Sequence, residues 1–189
     1  MRRFLSMLRC IPVSSRRNEM RNIAQPAPPG LIRSQWDLPG YRVGWGHFGR
    51  VGCEITAVYN VLRHLGRKPS LPELIRQFTD RRSLMLGGLG GTDPFAIGPW
   101  LNEQGICAEL YAERRSYPAF RAMVERGTAP VYILSYWTNP WNLHTVAFTV
   151  GRDGRLTVYN RRGITRCDRL DDVTEHLARR FILGYVIRG

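Results

Sequence analysis

Hydrophobic and polar positions follow two different periods along this chain, helical in its first part and strand-like in its last. In residues 53–65, Ile55, Val58, Tyr59, Leu62 and Leu65 fall on one face at the helical period, and Gly66 supplies a C-cap. Ser70-Leu71-Pro72-Glu73 places an N-cap Ser, an early Pro and a capping-box Glu in order, which predicts a helix to about Phe78. Thr92 or Asp93 caps a third helix reaching about Gln104, with a break expected near Gly98-Pro99. Residues 107–111 predict a short strand, and 117–125 a short helix ending at Gly127. From Pro130 the period becomes two, and strands are predicted over 131–137, 144–150 and 155–160, the last two joined by a hairpin turn at Gly151–Gly154. A helix over 170–180 and a strand over 181–187 close the chain. Helices first and an antiparallel sheet second is an α+β order.

Residues 1–22 are strongly basic, and 23–40 carry Pro26, Pro28, Pro29 and Pro39. Residues 1–40 therefore read as a basic, Pro-rich, poorly ordered extension before a folded domain at 41–189. The short apolar run is interrupted by Arg9, which makes a poor secretory signal. The stretch also suits an amphipathic basic anchor or translation from a start upstream of Met20.

Composition changes this picture in three ways. Hydrophobic residues make up 43% of the 189 positions, enough for one domain with a core, and no apolar run approaches the ~20 residues that span a bilayer. The net charge is +13, and Lys68 is the only lysine. Dispersed Arg doublets such as Arg2-Arg3, Arg81-Arg82 and Arg161-Arg162 attract anions, including an anionic surface through the N-terminus; their dispersal favours instead arginine usage set by a GC-rich genome. No aromatic platform or nucleic-acid-binding motif accompanies them, so nucleic acid is not the expected partner. Cys10, Cys53, Cys107 and Cys167 form no CxxC pair and no metal-ligand spacing, so no metal or cofactor is expected, and a reducing cytoplasmic compartment fits.

The candidate chemistry is a thiol site. Cys53 opens the first helix, where unpaired N–H groups and the helix dipole favour thiolate. His144 and Asn160 stand at the two ends of the predicted hairpin. A four-residue loop pairs His144 with Arg161, and a one-residue slip at Gly154 pairs it with Asn160. Cys, His and Asn in this order supply a nucleophile, a base and an orienting group.

The segments 52–62 (GlyCysGluIleThrAlaValTyrAsnValLeu), 143–150 (LeuHisThrValAlaPheThrVal) and 158–160 (ValTyrAsn) resemble the papain-like cysteine peptidases. The resemblance is nearest to the bacterial branch of bacteriocin-leader (double-glycine) peptidases and covers roughly 43–187. It implies a papain-like α+β fold, with a Cys-bearing helix packed on an antiparallel sheet that carries the His and the Asn. Gly52-Cys53-Glu54 replaces the branch's usual Asp-Cys-Gly, and Asn160 stands where Asp is commoner. His47 holds the place of the family's oxyanion-hole Gln, so His47 and the Cys53 amide are the expected oxyanion donors.

Trp45, Phe48, Trp137 and Trp141 flank the Cys and the His in sequence and are expected to wall the substrate cleft; core-end packing is the alternative. The glycine-rich 86–92 segment lacks a P-loop lysine and reads as a flap beside the cleft. Cys107 reads as core, His176 as surface, and His64 lies about three turns along the Cys53 helix, beyond reach of the thiol. The expected activity is thiol hydrolysis of a peptide or amide through an acyl-enzyme. The alternatives are an acyl- or peptide transferase using the same triad, and a non-catalytic papain-like binding module with an Arg-rich surface.

Overall fold

Burial periodicity along the helices and strands builds a sheet covered on both faces. The computed structural model describes residues 16–189; Cys10 and the Arg2-Arg3 doublet lie outside the described residues. The elements run α1 (Arg16–Ile23), β1 (Arg42–Val43), β2 (Gly46–His47), α2 (Phe48–Val51), α3 (Cys53–His64), α4 (Leu71–Asp80), α5 (Ile97–Glu103) and β3 (Cys107–Ala112). They continue with α6 (Tyr117–Glu125), β4 (Val131–Asn139), β5 (Asn142–Val150), β6 (Leu156–Tyr159), β7 (Ile164–Cys167), α7 (Leu177–Arg180) and β8 (Phe181–Arg188). The main sheet has six strands in the order β3-β8-β4-β5-β6-β7, and every neighbouring pair is antiparallel.

The period-two pattern sorts the strand residues between two cores. Ile133, Ala147, Leu183 and Tyr185 face α3 and pack with Val58 and Leu62. Tyr132, Val146, Phe148 and Val158 face the other way and pack with Phe120 of α6. Each such large apolar side chain contributes about 2 kcal/mol by leaving water, so a one-residue slip of β5 is excluded by both cores at once.

Several boundaries differ from expectation for identifiable reasons. The third helix begins as a 3-10 turn (Pro94–Ala96) capped by Asp93 Oδ1, which accepts from Phe95 N at 2.8 Å. It then runs through Gly98-Pro99 without a break, because Pro99 falls in the first turn of α5, where its missing N–H costs no bond. Gly98 is needed there, since a Cβ would stand 2.5 Å from the Tyr185 ring. The expected 170–180 helix is split into a 3-10 turn and α7 by His176, which takes φ 55°. β7 was not expected and adds an edge strand. Cys107 is exposed rather than core, because it points outward from the edge strand β3.

Over its described part, the extension expected before Tyr41 makes contacts with the rest of the fold. Asn22 exchanges two hydrogen bonds with the Arg42 backbone, at 2.8 and 2.9 Å. Ile32 lies in the main core. Asn60 of α3 accepts from Ile32 N at 2.8 Å and donates to its carbonyl at 2.9 Å. Residues 16–40 thus strap across the Cys-bearing helix, and the prolines shape the strap. No helix among the described residues is long and apolar enough to cross a membrane.

Candidate active site

Cys53 reaches its position through a tight joint between two helices. Gly52 ends α2 and caps α3, and a Cβ there would lie 2.7 Å from the Phe48 carbonyl oxygen. Only glycine lets the two helices abut, and Cys53 becomes the first residue of α3. Its side chain, 6% exposed, meets β5 beside the amide of Thr145.

His144 comes from the strand's other face. It sits opposite Tyr136 in the β4–β5 ladder, with the two rings edge-to-face at 5.9 Å. Its neighbour Thr145 points toward α3, where its hydroxyl donates to Glu54 Oε1 at 3.1 Å. Nucleophile and imidazole therefore approach β5 from opposite faces. They share an opening where β6 has ended: Cys53, His144 and Asn160 all line one cavity of about 250 Å3, together with Gln35, Trp36 and Arg50.

The hairpin register explains how His144 and Asn160 meet. Val150 pairs with Leu156 and Ala147 with Tyr159, so the loop is one residue longer than the four-residue expectation, not shorter. Asn160 then leaves the ladder at φ 70°, a left-handed conformation that Asn tolerates better than most residues. This turns its backbone carbonyl onto His144 Nε2 at 2.6 Å. A carbonyl oxygen only accepts, so Nε2 carries the hydrogen and Nδ1 keeps its lone pair.

The Asn160 side chain does something else. Its Oδ1 accepts from Gln35 N at 2.9 Å, and its Nδ2 donates to Gln35 Oε1 at 2.9 Å. Gln35 Nε2 in turn donates to the Gly49 carbonyl at 2.8 Å, just ahead of Cys53. The expected side-chain contact from Asn160 to His144 is thus replaced by a main-chain contact, with Gln35 as the clasp.

Electrostatics set a protonated resting thiol. Burial pushes the Cys53 thiol well above its ordinary value, and the adjacent Glu54 carboxylate pushes the same way against the Thr145 amide. The thiol donates to Glu54 Oε2 at 3.3 Å. Glu54, 1% exposed, is itself raised to about 7 by burial, opposed by its hydrogen bonds to Cys53, Thr145 and the Thr92 amide. Burial lowers His144, and the Asn160 carbonyl partly restores it. Among the described residues no Cys53–His144 hydrogen bond forms, so the ion pair expected from the helix N-terminus gives way to two neutral groups.

The remaining expected site residues lie elsewhere. His47 ends β2 opposite Arg42, is exposed, and does not line the Cys53 cavity. Phe48 is fully buried in the core, and Trp137 packs on that core's margin. Trp45 lies over Gly87 of the glycine-rich segment, and Trp141 is 94% exposed at the β4–β5 turn. The glycine-rich loop is docked on the β1–β2 turn, with Trp45 N donating to Gly87 O at 2.9 Å. Gln35, Trp36, Arg50 and Glu54 were not anticipated. Ser34, whose side chain caps the turn at Trp36 N, was the available sign of structure at Gln35.

Glu54 yields a prediction. Glu54→Gln keeps an acceptor for Thr145 and removes the charge, so alkylation of Cys53 at neutral pH is expected to quicken about tenfold. The sign for stability follows from a raised carboxylate. The folded state holds the Glu54 proton more tightly than the unfolded chain, so this contribution is present in acid. It is lost as pH rises from 4.5 through about 7. The unsubstituted chain is expected to lose on the order of 3 kcal/mol over that window and Glu54→Gln much less. Urea unfolding on either side of the window checks this.

No group of three or more His, Cys, Asp or Glu able to hold a metal ion occurs among the described residues.

A Cys-bearing helix packed on an antiparallel sheet that presents the His, with helices on both sheet faces, defines a papain-like α+β fold. Among solved structures, the chain is similar to the peptidase domain of Streptococcus ComA, described as a bifunctional ABC transporter involved in a quorum-sensing pathway. The TM-score is 0.50 and the identity 12%, over 72% of this chain and 90% of that one. At this identity the likeness is one of fold. No family model matches the chain, and no curated protein matches it.

Proposed function

We propose that the protein is a thiol hydrolase of peptides or amides, with Cys53 as nucleophile and His144 as base. The observation that carries this reading is the single cavity lined by Cys53, His144 and Asn160, with His144 fixed in the Nε2–H tautomer. In this reading substrate enters the cavity, and Nδ1 of His144 takes the Cys53 proton as sulfur attacks the carbonyl. The imidazolium then protonates the leaving amine, and water, activated by the same imidazole, hydrolyses the thioester. Arg50, on the cavity wall, takes the oxyanion role expected of His47, alongside the Cys53 amide. The reaction starts from a neutral pair, so proton transfer accompanies attack rather than preceding it.

One observation favours a second reading, a peptide-binding module on the same fold: the Cys53 thiol hydrogen-bonds Glu54 and not His144. Labelling with a library of peptidyl acyloxymethyl ketones separates the two. The hydrolase reading expects adducts on Cys53, none on the exposed Cys107, and loss of labelling in His144→Ala. Adducts on Cys107 alone would refute it.

A further inference from the structure

His144 stands between two cavities. Beyond the Cys53 cavity lies a second of about 450 Å3, and Thr138, His144 and Arg162 line both. The second cavity is walled by Arg161, Arg162 and Arg180, with Glu175 as its one carboxylate. Its volume is in the range of pockets that enclose a small ligand or a few side chains.

Among the described residues, no carboxylate forms an ion pair with these arginines. Arg180 Nη1 is braced at 3.4 Å by two uncharged partners, the Thr138 carbonyl and the Thr174 hydroxyl. Arg161 Nη1 rests on Cys167 Sγ at 3.7 Å. Arg76, Arg81, Arg121 and Arg188, away from this cavity, all form ion pairs. Arg161 and Arg180, held in place by neutral groups in a concave wall, are preorganised for carboxylates, which arginines bind through paired N–H donors.

We propose that this cavity binds an acidic segment of the peptide substrate, with Asp or Glu side chains on Arg161, Arg162 and Arg180 while the scissile carbonyl lies at Cys53. The proposal rests on the reading of Cys53 as nucleophile and adds the substrate class. His144, shared by both cavities, is the hinge between the segment that is recognised and the bond that is cut. Three arginines of the sequence's charge excess are thereby given a role.

The test is fluorescence anisotropy on full-length Cys53→Ala, which binds without turnover. The probes are a fluorescein-labelled Glu-rich peptide and its twin with every Glu changed to Gln. The acidic peptide is expected to bind about tenfold tighter, with the gap shrinking as salt rises. The gap is expected to close in the added double substitution Arg162→Gln/Arg180→Gln. Arg162→Gln alone, at an exposed position with no internal bond to lose, is expected to narrow it and guards against misfolding caused by loss of the Arg180 brace. Equal binding of the twins, or a preference that survives the double substitution, would overturn the proposal. So would a single-stranded oligonucleotide of equal charge that binds more tightly than the acidic peptide. Peptidyl-electrophile labelling of the unsubstituted chain is scored separately. Labelled Cys53 without acidic preference overturns this proposal and leaves the hydrolase. Arg-dependent acidic preference with unlabelled Cys53 keeps the recognition site and overturns the hydrolase.

Discussion

His144→Ala is expected to slow peptide turnover, and capture of electrophiles by Cys53, by about 10²–10⁴-fold, the usual contribution of a positioned base. The effect is large here because the Thr145 amide, which favours the thiolate, is outweighed by burial and Glu54. Burial and Glu54 hold Cys53 protonated, so without the His144 lone pair the thiolate must form against both. The fold is expected to survive, since His144 is half-buried and its side chain's hydrogen bond, to the Asn160 carbonyl, is worth about 1 kcal/mol. Turnover of a Glu-rich peptide pool, followed by mass spectrometry beside a urea unfolding curve, separates the chemical loss from the structural one. Turnover unchanged in His144→Ala would remove His144 from the mechanism.

Asn160→Ala is expected to cost about 3 kcal/mol of stability and most of the activity together. The alanine leaves Gln35 N and Gln35 Oε1 buried without partners, at roughly 1–3 kcal/mol each, and it places a Cβ at φ 70° without the local bonds that support Asn there. Gln35→Ala is expected to reproduce most of that loss, and the double substitution to cost clearly less than the two added together, with a coupling of about 1–2 kcal/mol. A group that only oriented His144 through its side chain would leave stability nearly untouched and show no coupling to Gln35. Denaturant unfolding of the four chains reads the coupling directly.

What the sequence disclosed follows from which signals are local. The amphipathic stripe of α3, the cap at Asp93 and the period-two strands are local, and each element appears within a few residues of its expected place; α4 starts after Ser70 as expected, but the Ser70 side chain makes no cap bond and Glu73 bonds Arg76 and Gln77 instead of closing a capping box. The order of Cys53, His144 and Asn160 was also legible, because one helix start and one hairpin carry it. What stayed hidden depends on contacts between distant segments. Gln35 sits in a Pro-rich stretch without periodicity, and its partner is 125 residues away. Glu54 reads as an ordinary first-turn acid until β5 places Thr145 against it. His47 was assigned to the oxyanion hole by the family resemblance and Phe48 to the cleft by proximity in sequence to Cys53, but the short helix α2 turns Phe48 into the core and leaves His47 in solvent. The observed hairpin register lies one residue from the four-residue loop and two from the slip that pairs His144 with Asn160, and the left-handed turn at Asn160 changed which of its atoms faces the imidazole.

If Cys53 and His144 act as a neutral pair in one cavity, the pH dependence of Cys53 alkylation shows it. Rates for Cys53 and the exposed Cys107 would be followed by mass spectrometry across the acid-to-alkaline range in the unsubstituted chain and in His144→Ala. The Cys53 profile is expected to rise later in pH than that of a free thiol, and its neutral-pH rate to fall at least tenfold without His144. A Cys53 that reacts fast and pH-independently below neutrality would contradict it by showing a preformed thiolate. A Cys53 rate indifferent to His144 would contradict it by showing that the two residues do not work together.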